Sequence, residues 1–88
     1  MGRMSRFNAL VEVSLRPGIS DPQGSTIEKA LPALGFDSVS EVRAGKAFRM
    51  TVEAVNADEA RSTVEQLCRK FLTNPVIEDA AVTVEELR

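Results

Sequence analysis

Cys68 is the only thiol in the chain, and there is no histidine. The commonest general base and metal ligand is therefore missing, no intrachain disulfide can form, and no cysteine cage can hold a metal. A reactive Cys68 would need a neighbour to draw off its proton. No His or Lys is spaced to do this, and the residue falls on an apolar helical stripe, so it reads as a small core side chain. No nucleophile with a base and no phosphate-cradling loop occurs elsewhere. What remains is charge set in three stretches of rigid turn: Arg16-Pro17-Gly18 running on into Asp21-Pro22-Gln23-Gly24, then Arg43-Ala44-Gly45-Lys46, and finally Thr73-Asn74-Pro75. Fixed backbone carrying cations is the chemistry of docking, in which charge sets orientation.

Composition limits the partners. The formal net charge is −2, with acidic and basic residues interleaved, so no basic surface awaits a phosphate backbone, and nucleic acid is not expected. Tyr and Trp are absent and the four Phe suit a core better than a base-stacking platform. No apolar run is long enough to span a membrane, and no apolar segment follows Arg3 and Arg6 as a secretory signal requires. The N-terminal Met-Gly lacks the Ser or Thr of a myristoylation motif, having Arg6 in its place. A cytoplasmic protein is expected. With 43% hydrophobic and 27% charged residues the chain should fold, as one small domain over 7–88 behind an N-terminal extension at 1–6. A domain this small buries little more than about 60% of the surface of its unfolded chain, so a partner subunit would add needed burial.

The elements that must position the turns follow from periodicity. Residues 7–15 alternate, with Phe7, Ala9, Val11, Val13 and Leu15 on one side, and predict a half-buried strand. Pro17-Gly18 ends it. Asp21 can cap a helix that has Pro22 at its first position and Ile27, Ala30, Leu31 and Leu34 on one stripe, closed by Gly35. Pro32 should kink or loosen its last turn. Residues 38–43 predict a short strand of weak pattern, Arg43 to Lys46 a hairpin turn, and residues 46–54 a strand with Phe48, Met50, Val52 and Ala54 inward. A second helix opens at Asn56 to Asp58, with Ala60, Val64, Leu67, Cys68 and Phe71 on its apolar face. Asn74-Pro75 breaks it, and residues 76–85 return as a strand with Ala80, Val82 and Val84 alternating.

The order β-α-β-β-α-β predicts an α+β fold, a ferredoxin-like sandwich in which two helices pack on one face of a four-stranded antiparallel sheet. Right-handed crossovers make strands one and two parallel, with strand three antiparallel between them. That connectivity gathers the three turn stretches at one end of the domain. The candidate docking residues are therefore Arg16, Pro17, Gly18, Asp21, Pro22, Gln23, Gly24, Arg43, Gly45, Lys46, Asn74 and Pro75.

The same stretches carry a resemblance. Pro17-Gly18 with Asp21-Pro22-Gln23-Gly24, Ala33-Leu34-Gly35-Phe36, Val42-Arg43-Ala44-Gly45-Lys46, and Cys68 through Asn74-Pro75-Val76-Ile77-Glu78-Asp79 follow in an order and spacing that resemble the PurS family. This family supplies the small subunit of phosphoribosylformylglycinamidine synthase. The resemblance implies a three-protein enzyme of purine biosynthesis, using ATP, Mg and glutamine. In it a glutaminase subunit releases ammonia and a large synthetase subunit converts formylglycinamide ribonucleotide to the amidine. The small subunit would be a non-catalytic, dimer-forming adaptor that bridges the two and assists ammonia transfer, binding no cofactor or metal itself.

On that reading Arg16, Arg43 and Lys46 would pair with acidic groups of a partner, and free sheet edges would pair with a second copy of the chain. Two readings from other classes compete. An acylphosphatase-like enzyme would cradle phosphate in the loop after strand one, but Asp21 sits in that cap and repels an anion, and strand two has no asparagine to position water. A small-molecule-binding regulatory module shares the element order, and composition and periodicity do not separate it from the adaptor.

Overall fold

Alternation of apolar and polar residues produces the central strand. The computed structural model describes residues 3–87, and in it β1 spans Ser5–Leu15, α1 Pro22–Ala30, β2 Gly45–Ala54, α2 Ala57–Leu67 and β3 Glu78–Glu86. The strands form one antiparallel sheet in the order β2-β1-β3. Val11 lies opposite both Phe48 and Val82, and Ala9 opposite both Met50 and Val84, so apolar residues of all three strands share one face. On that face Phe7, Ala9, Val11 and Val13 are buried, while Asn8, Glu12 and Ser14 stand exposed on the other. Each fully buried valine or phenylalanine contributes about 1.5–3 kcal/mol relative to exposure.

The helix α2 covers this face because its ends and its stripe are both well specified. Asn56 caps it, its side-chain oxygen accepting from the Glu59 N–H at 2.8 Å, and Glu59 reaches back to accept from the Val55 N–H at 3.2 Å. Asp58 and Glu59 in the first turn suit the positive end of the helix dipole. Ala60, Val64 and Cys68 are buried. Val64 and Cys68 join Ala9, Val11 and Val13 in one cluster, and Ala60 joins Phe7 and Ala54 in another.

The end of α2 departs from the sequence expectation. Residues Cys68–Leu72 wind into a π turn, with the Thr73 N–H bonded to the Cys68 carbonyl at 3.0 Å and the Thr73 hydroxyl donating to the same oxygen at 2.9 Å. The wider turn delays the stripe by one residue. Leu72 packs against the core, while Phe71, expected inward, is 82% exposed; Leu67, also expected inward, lies ahead of the π turn on the edge of the α2 stripe and is 38% exposed.

Larger departures lie in the excursion 16–44. The expected strand at 38–43 is absent, so the sheet has three strands among the described residues rather than four, and Arg43 to Lys46 is not a hairpin but the entry to β2. The cause is local: Glu41 sits at φ 57°, off the strand region, and the Val42 and Ala44 N–H groups are taken by the carboxylates of Glu28 and Asp21. Nor does α1 join α2 in a helical layer. Its main packing partner is the 3-10 turn Pro32–Leu34 that follows it, and the molecule measures 60 × 30 × 14 Å. At Pro32 the last turn of the expected helix loosens into this 3-10 turn, the second of the two outcomes expected there, and Gly35 at φ 91° closes it. β1 begins at Ser5, within the stretch assigned to an N-terminal extension, and β3 begins at Glu78 rather than at residue 76. Residues 1, 2 and 88 of the expected extension and domain lie outside the described residues.

Candidate docking site

One aspartate organises the turn end. Asp21 caps α1 ahead of Pro22, its Oδ1 accepting from the Gly24 N–H at 2.9 Å, while its Oδ2 accepts from the Ala44 N–H at 2.8 Å. Two turns on, Glu28 Oε1 accepts from the Val42 N–H at 2.9 Å. Two carboxylates thus clasp α1 to residues 42–44, replacing the ladder partners these amides would have had in a strand. The helix can approach so closely only because residue 24 has no side chain: a Cβ there would lie 2.5 Å from the Val42 carbonyl oxygen. The N–H groups of Gly24 and Ala44 hold the Asp21 carboxyl below its usual pKa, with Arg43 adding a smaller pull in the same direction.

The loop after β1 and the turn after α2 meet on the other side of this clasp. The Arg16 N–H bonds to the Ile77 carbonyl at 2.8 Å, and Arg16 Nε lies 3.3 Å from Asp79 Oδ1. Lys46 Nζ lies 3.5 Å from Glu78 Oε2, and Glu78 Oε1 accepts from the Asn74 N–H at 2.8 Å. That backbone bond lowers the pKa of Glu78, and the Lys46 cation assists. Asn74 folds its own turn, its side chain accepting from the Val76 N–H at 3.1 Å and its carbonyl from the Glu78 N–H at 2.8 Å. Exposed ion pairs such as Arg16–Asp79 are worth at most about 1 kcal/mol, so they set the shape of this end more than its stability.

Three of the turn stretches singled out in the sequence therefore do converge. A shallow cleft of about 450 Å³ is lined by Asp21, Pro22, Gln23, Gly45, Lys46 and Glu78 together with strand residues, and a second of about 550 Å³ by Asp21, Glu28, Glu41 and Arg43 among others. Gly24 is the buried residue of α1, where the helix meets Val42, and Gly18 serves the turn after β1 at φ 86°. Glu28, Glu78 and Asp79 were not among the candidate residues, although they partner Val42, Lys46 and Arg16. For Glu78 and Asp79 the available signal was an acidic pair two residues beyond Asn74-Pro75, where the chain turns back toward β1. Arg43 has no ion-pair partner within 4.0 Å among the described residues. Rigid backbone, two clefts and mixed charge can orient a protein partner.

Comparison with known proteins agrees along nearly the whole chain. Residues 8–86 match the model of the PurS family, described as phosphoribosylformylglycinamidine (FGAM) synthase. The chain is 38% identical over 81 residues to the phosphoribosylformylglycinamidine synthase subunit PurS of Bacillus subtilis, covering 92% of this chain and 95% of that one. It is similar to the crystal structure of Methanocaldococcus jannaschii PurS, one of the subunits of formylglycinamide ribonucleotide amidotransferase in the purine biosynthetic pathway. There the TM-score is 0.84 and the identity 36%, over 93% of this chain and 99% of that one. It is also similar to a chain in the structure of PurLQS from Thermotoga maritima, with a TM-score of 0.82 and 36% identity over 96% of this chain and all of that one. The chain belongs to the PurS family of phosphoribosylformylglycinamidine synthase subunits.

Proposed function

We propose that this chain is the non-catalytic adaptor of its synthase, joining a glutaminase subunit to a large synthetase subunit and assisting ammonia transfer between them. The observation that supports this most is its full-length likeness to a chain that stands within a PurLQS assembly. The ATP, Mg and glutamine of the reaction belong to the larger subunits, and the work is cytoplasmic. Residues 7–88 act as one domain. Its docking end is formed by Arg16, Pro17, Gly18, Asp21, Pro22, Gln23, Gly24, Arg43, Gly45, Lys46, Asn74 and Pro75, which the contacts above bring together or support from beneath. The working form is a homodimer. We extend the fold reading to a ferredoxin-like arrangement without its second strand; the antiparallel order β3-β1-β2, which would be three adjacent strands of such a sheet, supports it.

The test is glutamine-dependent synthase activity, reconstituted from the two larger subunits with and without this chain. Activity that needs the chain supports the adaptor, and Arg43→Glu with Lys46→Glu should then weaken assembly while circular dichroism stays unchanged. Equal activity without the chain would overturn the reading.

A further inference from the structure

β2 and β3 are the two edges of the sheet, and an edge strand offers unpaired backbone to any extended segment that meets it. Which groups of β3 point outward is fixed by its ladder with β1. The Leu87 N–H bonds to the Arg6 carbonyl at one end and the Arg16 N–H to the Ile77 carbonyl at the other, so the odd-numbered residues of β3 bond toward β1. The N–H and C=O groups of Glu78, Ala80, Val82, Val84 and Glu86 therefore point away from it. Two arginines from flanking elements close on this edge. Arg61 of α2 donates to the Val82 carbonyl at 2.7 Å, and Arg16 Nε, which also lies 3.3 Å from Asp79 Oδ1, reaches the Glu78 carbonyl at 3.5 Å. Both bonds are exposed, where water would satisfy the same carbonyls, so they add little to stability. Their effect is positional. An added strand pairs with every second residue, and of the first three outward positions, Glu78, Ala80 and Val82, only Ala80 keeps its carbonyl uncovered. Among the described residues no side chain bonds in this way to β2.

We infer that Arg61, assisted by Arg16, keeps extended segments of other polypeptides from adding to the β3 edge. A segment that paired there would have to displace both guanidinium groups, breaking the Arg61 bond to Val82 and pulling Arg16 from Asp79. Beyond Val82 only Val84 and Glu86 remain, the second carrying an acidic side chain, and two positions make a poor ladder. A long, exposed edge is thereby closed by charged side chains without a covering element, one of the devices by which sheet proteins avoid unwanted strand pairing. The inference concerns the chain itself and stands whether or not the adaptor reading does.

Arg61→Ala in the full chain tests it, by sedimentation at rising concentration and by amide hydrogen exchange. The variant should form species larger than the wild-type assembly at the same concentration, while its circular dichroism at low concentration stays unchanged. The Ala80 and Val82 N–H groups have no partner in β1, so in those larger species their exchange should slow on the order of 10-fold or more relative to wild type. Ala80→Pro removes an outward N–H that the ladder with β1 does not use and closes the same edge by another route. The Arg61→Ala/Ala80→Pro chain should therefore return to wild-type size. An Arg61→Ala chain that stays at wild-type size would overturn the inference. So would larger species in which Ala80 and Val82 exchange as fast as in wild type, because association would then lie elsewhere, or larger species that persist in the double variant.

Discussion

Gly24→Ala tests the clasp most directly, because two effects of opposite sign meet there. Alanine inside a helix is favoured over glycine by about 1 kcal/mol, so propensity alone makes the variant more stable. The added Cβ, however, would lie 2.5 Å from the Val42 carbonyl and 2.5 Å from the Asp21 carboxylate oxygen that holds Ala44. A backbone carbonyl cannot swing aside as a flexible side chain can, so α1 must lift from residues 42–44. Forcing a methyl group into a filled space costs typically about 1–3 kcal/mol, which leaves a net loss of up to about 2 kcal/mol after the propensity gain. The loss should be confined to the excursion. Amide hydrogen exchange would show Val42 and Ala44 losing protection, while Ala9 and Val11 in the centre of the sheet exchange as in wild type. A Gly24→Ala chain that melts higher and keeps Val42 and Ala44 protected would refute the clasp.

Val64→Ala removes two methyl groups from a fully buried position and should cost about 2 kcal/mol in urea unfolding at fixed protein concentration, a sizeable part of the stability of a domain this size. Burial pushes the Cys68 thiol pKa up and Glu65 adds to the effect against a smaller pull from Arg69, so the native chain should react with a maleimide far more slowly than the chain in denaturant. Asp21 and Glu78 bind their protons less readily in the fold than when unfolded, so their contribution is present above the ordinary carboxylate pKa and is lost as pH falls below about 4. A pH titration of hydrogen-exchange protection at Ala44 should show that loss. Asp21→Asn should flatten it.

Much of this was legible in the sequence, and the exceptions have physical causes. Strict alternation in β1 and the caps at Asp21 and Asn56 were readable because each depends on neighbours a few residues away. The convergence of the turn stretches was readable because connectivity alone demands it. The strand at 38–43 was misread because Glu41 turns to φ 57° and the Val42 amide is taken by Glu28, fourteen residues back, as the Ala44 amide just beyond is by Asp21, twenty-three residues back, and periodicity does not register a side-chain acceptor. Phe71 was misread because a π turn shifts helical phase by one residue without any local sequence mark. The position of α1 was misread because an apolar stripe does not by itself say which surface it packs on, and Ile27 and Leu34 stay exposed in the single chain.

The sheet topology also governs how quickly the molecule can be made. No two strands are joined by a tight turn: Ser14 pairs with Gly45, and Phe7 pairs with Glu86 across nearly the whole chain. There is no hairpin to form first, and the central strand must close long loops on both sides before its contacts reward the entropy lost. Folding should therefore fall in the millisecond-to-second range typical of non-local β proteins. While it waits, β1 presents Val11 and Val13 unpaired, and in that interval the chain is most open to aggregation.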